Sequence, residues 1–185
     1  VFGAPAGKAD RAKAIRLGWV ETPIGPMIAG SRAGSLILLE FTNRRMMEAQ
    51  IETLRKRFKA AFLPEDDAVI KATRRELDEY FAGKRREFTL PLDYPGTPFE
   101  TKVWTELLNI PYGETRSYEE LAEITSTKGA VRAVGSANGR NRIAIVIPCH
   151  RVVNKSGALG GYGGGLWRKQ TLLALEQGQP RPQAW

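Results

Sequence analysis

The chain has almost no sulfur or imidazole to work with: one cysteine, Cys149, and one histidine, His150, in 185 residues. A single cysteine excludes an internal disulfide, and two soft ligands are too few for a cysteine-rich zinc site. No stretch approaches the roughly 18 apolar residues of a membrane span, and nothing in the opening residues reads as a secretory signal. A lone free cysteine fits a reducing compartment, so a cytoplasmic location is expected. Acids are scarce in one region only. Residues 125–185 hold nine Lys and Arg against one acid, Glu176, whereas residues 1–124 balance 19 against 19. The whole net charge of +8 therefore lies in the last third. Such a face suits a polyanionic partner, nucleic acid above all, and its bland alternative is a solvated surface. The glycine-rich run 157–165 lacks the Lys-Ser/Thr ending of a phosphate-binding loop, which discounts nucleoside triphosphates.

The two rare residues are neighbours, in Ile147-Pro148-Cys149-His150-Arg151-Val152-Val153. Taken singly, a lone cysteine is most often a small buried apolar residue, and a lone histidine a satisfied structural one. Their adjacency, the proline before and the arginine after shift the balance toward function. The apolar run 143–147 reads as a buried strand, which Pro148 ends by withholding a donor and fixing a turn. The thiol is thus expected where a core strand breaks into a site.

The pattern divides the chain. The start, Val1-Phe2-Gly3-Ala4-Pro5, lacks an initiator Met, so residues 1–14 are expected to be a flexible linker and the chain a piece of a longer protein. Residues 15–92 read as a small α/β domain: three short strands in an antiparallel meander up to Phe41, a helix from Met47 to Phe58, and a helix from Ala68 to Phe81. The second helix turns Val69, Leu77, Tyr80 and Phe81 inward and ends at Gly83; a short strand follows over 88–92. The turn-rich segment 93–97 is a connector. Residues 98–178 read as a mostly helical domain, and 179–185 as a tail. In it, Thr97 or Pro98 opens a helix to Leu108. Ser117 with Glu120 forms a capping box for Tyr118 to Ile124, and small residues spanning 129–137 make the next helix. Helix, short turn and a helix of small residues with an Arg is the helix-turn-helix shape. A last helix runs from Leu166 to Glu176. The fold class is therefore α+β.

At this point an ordered set of motifs resembles the O6-alkylguanine-DNA alkyltransferases. The set comprises Pro111-Tyr112-Gly113, Ser117-Tyr118, Arg132-Ala133-Val134-Gly135, Asn141, Pro148-Cys149-His150-Arg151-Val152, Gly160-x-Tyr162 and Leu172-Leu173-x-x-Glu176. The resemblance is strong over about 98–178 and looser over 15–92, that family's variable N-terminal domain. It implies a winged-helix-like DNA-binding domain with an active-site loop, in a cytoplasmic, nucleoid-associated monomer without cofactor or metal. It also implies that the alkyl group of O6-alkylguanine, chiefly O6-methylguanine with O4-methylthymine as a second adduct, moves irreversibly to Cys149. By the same resemblance His150 deprotonates the thiol through a water, Glu176 orients His150, and Asn141 supports the active-site turn. Tyr118 faces guanine N3 and crowds the 3′ phosphate, and Arg132 enters the base stack. Ala133, Gly135, Ser117, Arg140 and Arg151 join the DNA-binding set, while Tyr162, Gly163, Val152 and Pro148 line the base pocket. Where some members carry a Ser that donates to guanine O6, this chain has Gly163.

The chemistry needs these residue types. A thiol must ionise to attack, and an imidazole and basic surroundings favour the thiolate. Guanine leaves more easily when N3 is protonated or hydrogen-bonded, a task for a phenol. The alkyl carbon is shut inside the duplex, so the nucleotide must be rotated out and its gap filled. A thioether does not hydrolyse, and no second cysteine can take the group onward, so each molecule reacts once. Three rivals stand beside this reading: a regulatory DNA-binding module of a larger adaptive-response protein, a lesion-binding relative without repair, and a thiol hydrolase. Cys149 at the nucleophile position argues against the second. Sequence-adjacent Cys and His, which rarely face each other, argue against the third.

Overall fold

A computed structural model describes residues 13–125 and 129–180, and these form two compact units, Val1–Asp93 and Tyr94–Trp185. Most of the linker expected over 1–14 lies outside the described residues; Ala14, at its end, is fully buried.

The first unit is built on a four-stranded sheet in the order β3-β2-β1-β4. Strands β1 (Ile15–Val20), β2 (Met27–Arg32) and β3 (Ser35–Phe41) form the meander expected from the turn residues between apolar runs. Edge strand β4 (Phe62–Pro64) pairs in parallel with β1 and was not foreseen, because three residues ending in proline carry no alternation to recognise. Helix α1 (Met47–Phe58) lays Leu54 on a core of Ile15, Leu17, Ile37, Leu38 and Phe62. Helix α2 (Ala68–Phe81) is capped by the Asp67 carboxylate, which accepts from Ile70 N at 2.9 Å. Its inward face carries Ile70, Leu77, Tyr80 and Phe81, with Val69 only half-buried, one position away from the expected stripe. Segment 88–92 is not a strand. It makes a single bridge, Leu92 to Leu36, with Leu36 N donating to Pro91 O and Asp93 N to Leu36 O. Pro91 has no N–H with which to extend the ladder.

The second unit is helical. Helix α3 (Pro98–Leu108) combines both expected start signals: Thr97 is the cap, closes a capping box with Glu100, and Pro98 follows. Trp104, fully buried, donates its indole N–H to Ala137 O at 2.9 Å and so ties α3 to α5 (Val131–Gly139). Helix α4 (Tyr118–Ile124) starts on the Ser117–Glu120 box. Helix α5 begins two residues later than the pattern suggested; most of the turn before it, 126–128, lies outside the described residues. Helix α6 is Leu166–Glu176. Two dipeptide strands, β5 (Arg116–Ser117) and β6 (Val152–Val153), pair in parallel and were too short to predict. Their pairing places the start of α4 beside the segment that follows Cys149. No helix among the described residues is long and apolar enough to cross a membrane.

Candidate active site

The run 143–147 is buried as expected but is not a strand. It is a compact turn, with Ile147 N donating to Ile143 O at 2.9 Å and Ile145 at φ +71°. A β-branched residue in the left-handed region is strained, so the surroundings must impose it. Asn141, 1% exposed, does so in place of a neighbouring strand. Its Nδ2 donates to Ile147 O at 2.8 Å, and its Oδ1 accepts from Ile143 N at 3.0 Å. Periodicity reports burial but cannot separate a buried turn from a buried strand. Pro148 leads into a single 3₁₀ turn, Cys149–Arg151, which is buried throughout.

Glu176, at the end of α6, joins that turn to the rest of the unit. Arg151 Nε donates to Glu176 Oε2 at 2.8 Å, its Nη2 to Oε1 at 3.0 Å, and its Nη1 to Ile110 O at 2.6 Å. Gly113 N donates to Oε2 at 3.1 Å. Only glycine fits here: φ is +81°, and a Cβ would lie 3.0 Å from Glu176 O. Burial opposes charge on Glu176, but bonds from His150 and Arg151 outweigh it and hold the carboxyl well below the usual range.

His150 Nε2 lies 2.8 Å from Glu176 Oε1, and the ring is 0% exposed. Burial lowers the His150 pKa, against the pull of Glu176. Attraction between these partners would by itself raise it. Arg151 already compensates the carboxylate and repels a second cation, so the neutral ring is the form the site favours. The hydrogen-bond network then assigns the proton to Nε2, donated to Glu176. The buried Nδ1 has no hydrogen-bond partner and is left as a free acceptor. Arg151 was expected on the DNA-facing surface; it is instead buried in this network, where its guanidinium has no reach to a phosphate.

Lys169, on α6, was not singled out from the sequence. It is 0% exposed and donates to Val152 O and, at 3.1 Å, to Gly160 O. Burial lowers its pKa to about 8, countered by the charge of Cys149. A signal was present: Lys169 shares a helical face with Leu172, Leu173 and Glu176, and a lysine on an apolar stripe must find acceptors.

Tyr118 closes the site from α4. Its ring lies between two glycines: a Cβ on Gly160 would come within 2.6 Å of it, and one on Gly135 of α5 within 3.8 Å. The hydroxyl donates to Gly161 O at a long 3.4 Å. Burial, then the nearby Cys149 charge, raise the phenol's pKa, so it holds its proton. The loop 157–165, read from the sequence as flexible, is tied down by these bonds and by Arg168 Nη1 to Gly164 O at 2.7 Å. Val152 and Pro148 are buried beside Cys149, Tyr162 is half-buried, and Gly163 is exposed.

On α5, Arg132 and Ala133 are exposed and Gly135 is half-buried. Arg140 is exposed but paired with Glu100 and, at 2.7 Å, with Ser136. Ser117 is buried with its hydroxyl committed to the cap, accepting from Glu120 N at 3.1 Å. The arrangement can therefore generate a thiolate near an ammonium, with the Tyr118 phenol as a nearby proton donor. Among the described residues no cluster of three or more His, Cys, Asp or Glu could hold a metal ion.

Comparison with known proteins finds relatives over most of the chain. Residues 15–94 match the 6-O-methylguanine DNA methyltransferase ribonuclease-like domain, and 98–178 match the DNA-binding domain of the same name. A methylated-DNA–protein-cysteine methyltransferase of Mycobacterium leprae is 51% identical over 160 residues, covering 86% of this chain and 91% of that one. An inducible namesake from Bacillus subtilis is 44% identical over 136 residues, 74% and 76% of the two chains. The solved O6-methylguanine methyltransferase of Mycobacterium tuberculosis superposes with a TM-score of 0.75 at 40% identity, covering 92% and 96% of the chains. A Mycobacterium tuberculosis OGT solved in complex with DNA gives 0.77 at 41%, covering 88% and 93%. With both domain models matched in order and relatives this similar over most of their length, the chain belongs to the 6-O-methylguanine-DNA methyltransferase family.

Proposed function

We propose that this chain repairs alkylated DNA by direct reversal, moving the alkyl group of O6-alkylguanine, O6-methylguanine first, irreversibly onto Cys149. The observation that carries the assignment of roles is the His150 Nδ1 lone pair, held free by a ring whose other nitrogen is anchored on Glu176. Acting through a water, that acceptor takes the thiol proton, and the Lys169 ammonium stabilises the thiolate. The thiolate attacks the alkyl carbon and forms the S–C bond. The C–O6 bond breaks, its electron pair passes into the purine, and N3 takes the Tyr118 proton, so guanine leaves neutral. The proton lost by the thiol returns to Tyr118 through solvent.

Burial of Cys149 means that the nucleotide must leave the duplex to react. Exposed Arg132 fills the space it vacates, while Ala133 and Gly135 let α5 approach the backbone closely. Arg140 contacts phosphate after exchanging Glu100 for it. Tyr162 and Gly163 edge the base pocket, and with no side chain at Gly163 only backbone amides donate to O6 there. All the named groups come from one unit of one chain, which supports action as a monomer.

The test is stoichiometry. Duplex DNA carrying O6-methylguanine is titrated with protein, and restored guanine is counted. Restoration that stops at one per protein molecule is expected; continued turnover would contradict the proposal.

A further inference from the structure

Asn138 sits on α5 but points inward, 5% exposed, on the side of the helix away from Arg132. Its Nδ2 donates to Cys149 O at 3.3 Å, while its buried Oδ1 has no hydrogen-bond partner. Gly135, one turn earlier on the same face, lies against the Tyr118 ring. Tyr118 and Asn138 thus meet the same turn of α5 beside Cys149, and the Asn138 amide favours the ionised phenol. An amide nitrogen has two hydrogens, and only one is used on Cys149 O.

We propose that Asn138 is a positioning residue for alkyl transfer: its Nδ2 donates one hydrogen bond to the Cys149 carbonyl and the other to the Tyr118 hydroxyl oxygen, aiming the phenolic proton at guanine N3. The inference rests on reading Tyr118 as the donor to N3. A phenol that accepts a bond on oxygen is a stronger donor, and that bond tightens as negative charge develops during proton transfer. The direction agrees with the effect of Asn138 on the phenol, which opposes the upward push of burial. In the resting site the hydroxyl hydrogen rests on Gly161 O at 3.4 Å, long enough to be exchanged for a substrate nitrogen at little cost. The helix that approaches DNA thus also holds the catalytic phenol.

The experiment compares single-turnover rates on duplexes carrying O6-methylguanine and its 3-deaza analogue, in which a C–H replaces N3. Asn138→Leu, close in size and without a donor, is tested beside Asn138→Ala, which fits whatever the packing, and Tyr118→Phe. Both Asn138 variants are expected to lose about tenfold on O6-methylguanine, the worth of one hydrogen bond to a group gaining charge, and less than about twofold on the analogue. Equal losses on both substrates would overturn the role of Asn138 and leave a structural one. Tyr118→Phe separates the two levels. If it too slows both substrates equally, the N3 donor reading itself is wrong; if it spares the analogue while the Asn138 variants do not, only the present inference falls.

Discussion

Glu176 governs the behaviour of two neighbours, and its substitution is the sharpest test at the scale of single residues. Its carboxylate anchors Arg151 and orients His150 from within the core. Removing its charge strands a buried guanidinium, so Glu176→Gln is expected to lose roughly 3 kcal/mol of stability at neutral pH. The sign with pH follows from the lowered carboxyl pKa. The contribution is complete above the ordinary carboxylate value of about 4.3 and is lost as pH falls through the lower folded value. Denaturant unfolding at pH 7 and at pH values below about 4 should show the gap between wild type and variant narrowing; a constant gap would contradict the pairing. Lys169 behaves in the opposite sense. Its folded pKa is lowered to about 8. Between there and the unfolded value of about 10.4 the unfolded chain holds a proton that the native chain has released, so stability rises with pH across that window. Lys169→Met should abolish this rise and slow alkyl transfer roughly tenfold at pH 7, where the ammonium faces the thiolate. A variant that kept the rise would place the titration elsewhere.

At the scale of elements, the turn 143–147 depends on one side chain. Asn141→Ala removes the acceptor for Ile143 N and the donor for Ile147 O. With Ile145 already strained, a loss of roughly 2–3 kcal/mol is expected, read by thermal melting, together with faster amide exchange around Cys149. Stability within about 0.5 kcal/mol of wild type would show that packing alone holds the turn. The same turn marks the limit of sequence reading. The cap signals at Thr97-Pro98 and the Ser117–Glu120 box declared the starts of α3 and α4 because a cap is local chemistry written in a few residues. The bounds of α1, α2 and α6 followed from apolar spacing and, at α2, a terminal glycine. Segments 143–147 and 88–92 read as strands in the sequence because burial and extension leave the same apolar signature, while the deciding partners, Asn141 and Leu36, lie outside the pattern. Dipeptides β5 and β6 have no period at all and exist only through their pairing. Cys149, His150 and Glu176 were legible through rarity and motif. Arg151, Lys169 and Asn138 were missed or misplaced, because composition counts charges and amides without telling which of them are buried.

At the scale of the whole molecule, the acid-poor stretch 125–185, with nine Lys and Arg against Glu176, lies in the unit that carries Cys149, and this makes recognition and chemistry separable. Affinity for DNA is expected to fall steeply and linearly on logarithmic axes as salt rises. Transfer from free O6-benzylguanine, which needs neither phosphate contact nor base rotation, should change little. Arg132→Ala divides the two in the same way: much of the activity on duplex DNA is lost while reaction with the free base survives, and equal loss on both would refute its role in the base stack. Everything nevertheless returns to one sulfur. The most direct measurement is the intact mass of the protein after incubation with duplex DNA carrying a single O6-methylguanine, followed by peptide mapping. The account predicts one addition of about 14 Da, located on Cys149 and stopping at one equivalent. Tight binding to the damaged duplex with no added mass, or an addition on any other residue, would contradict it.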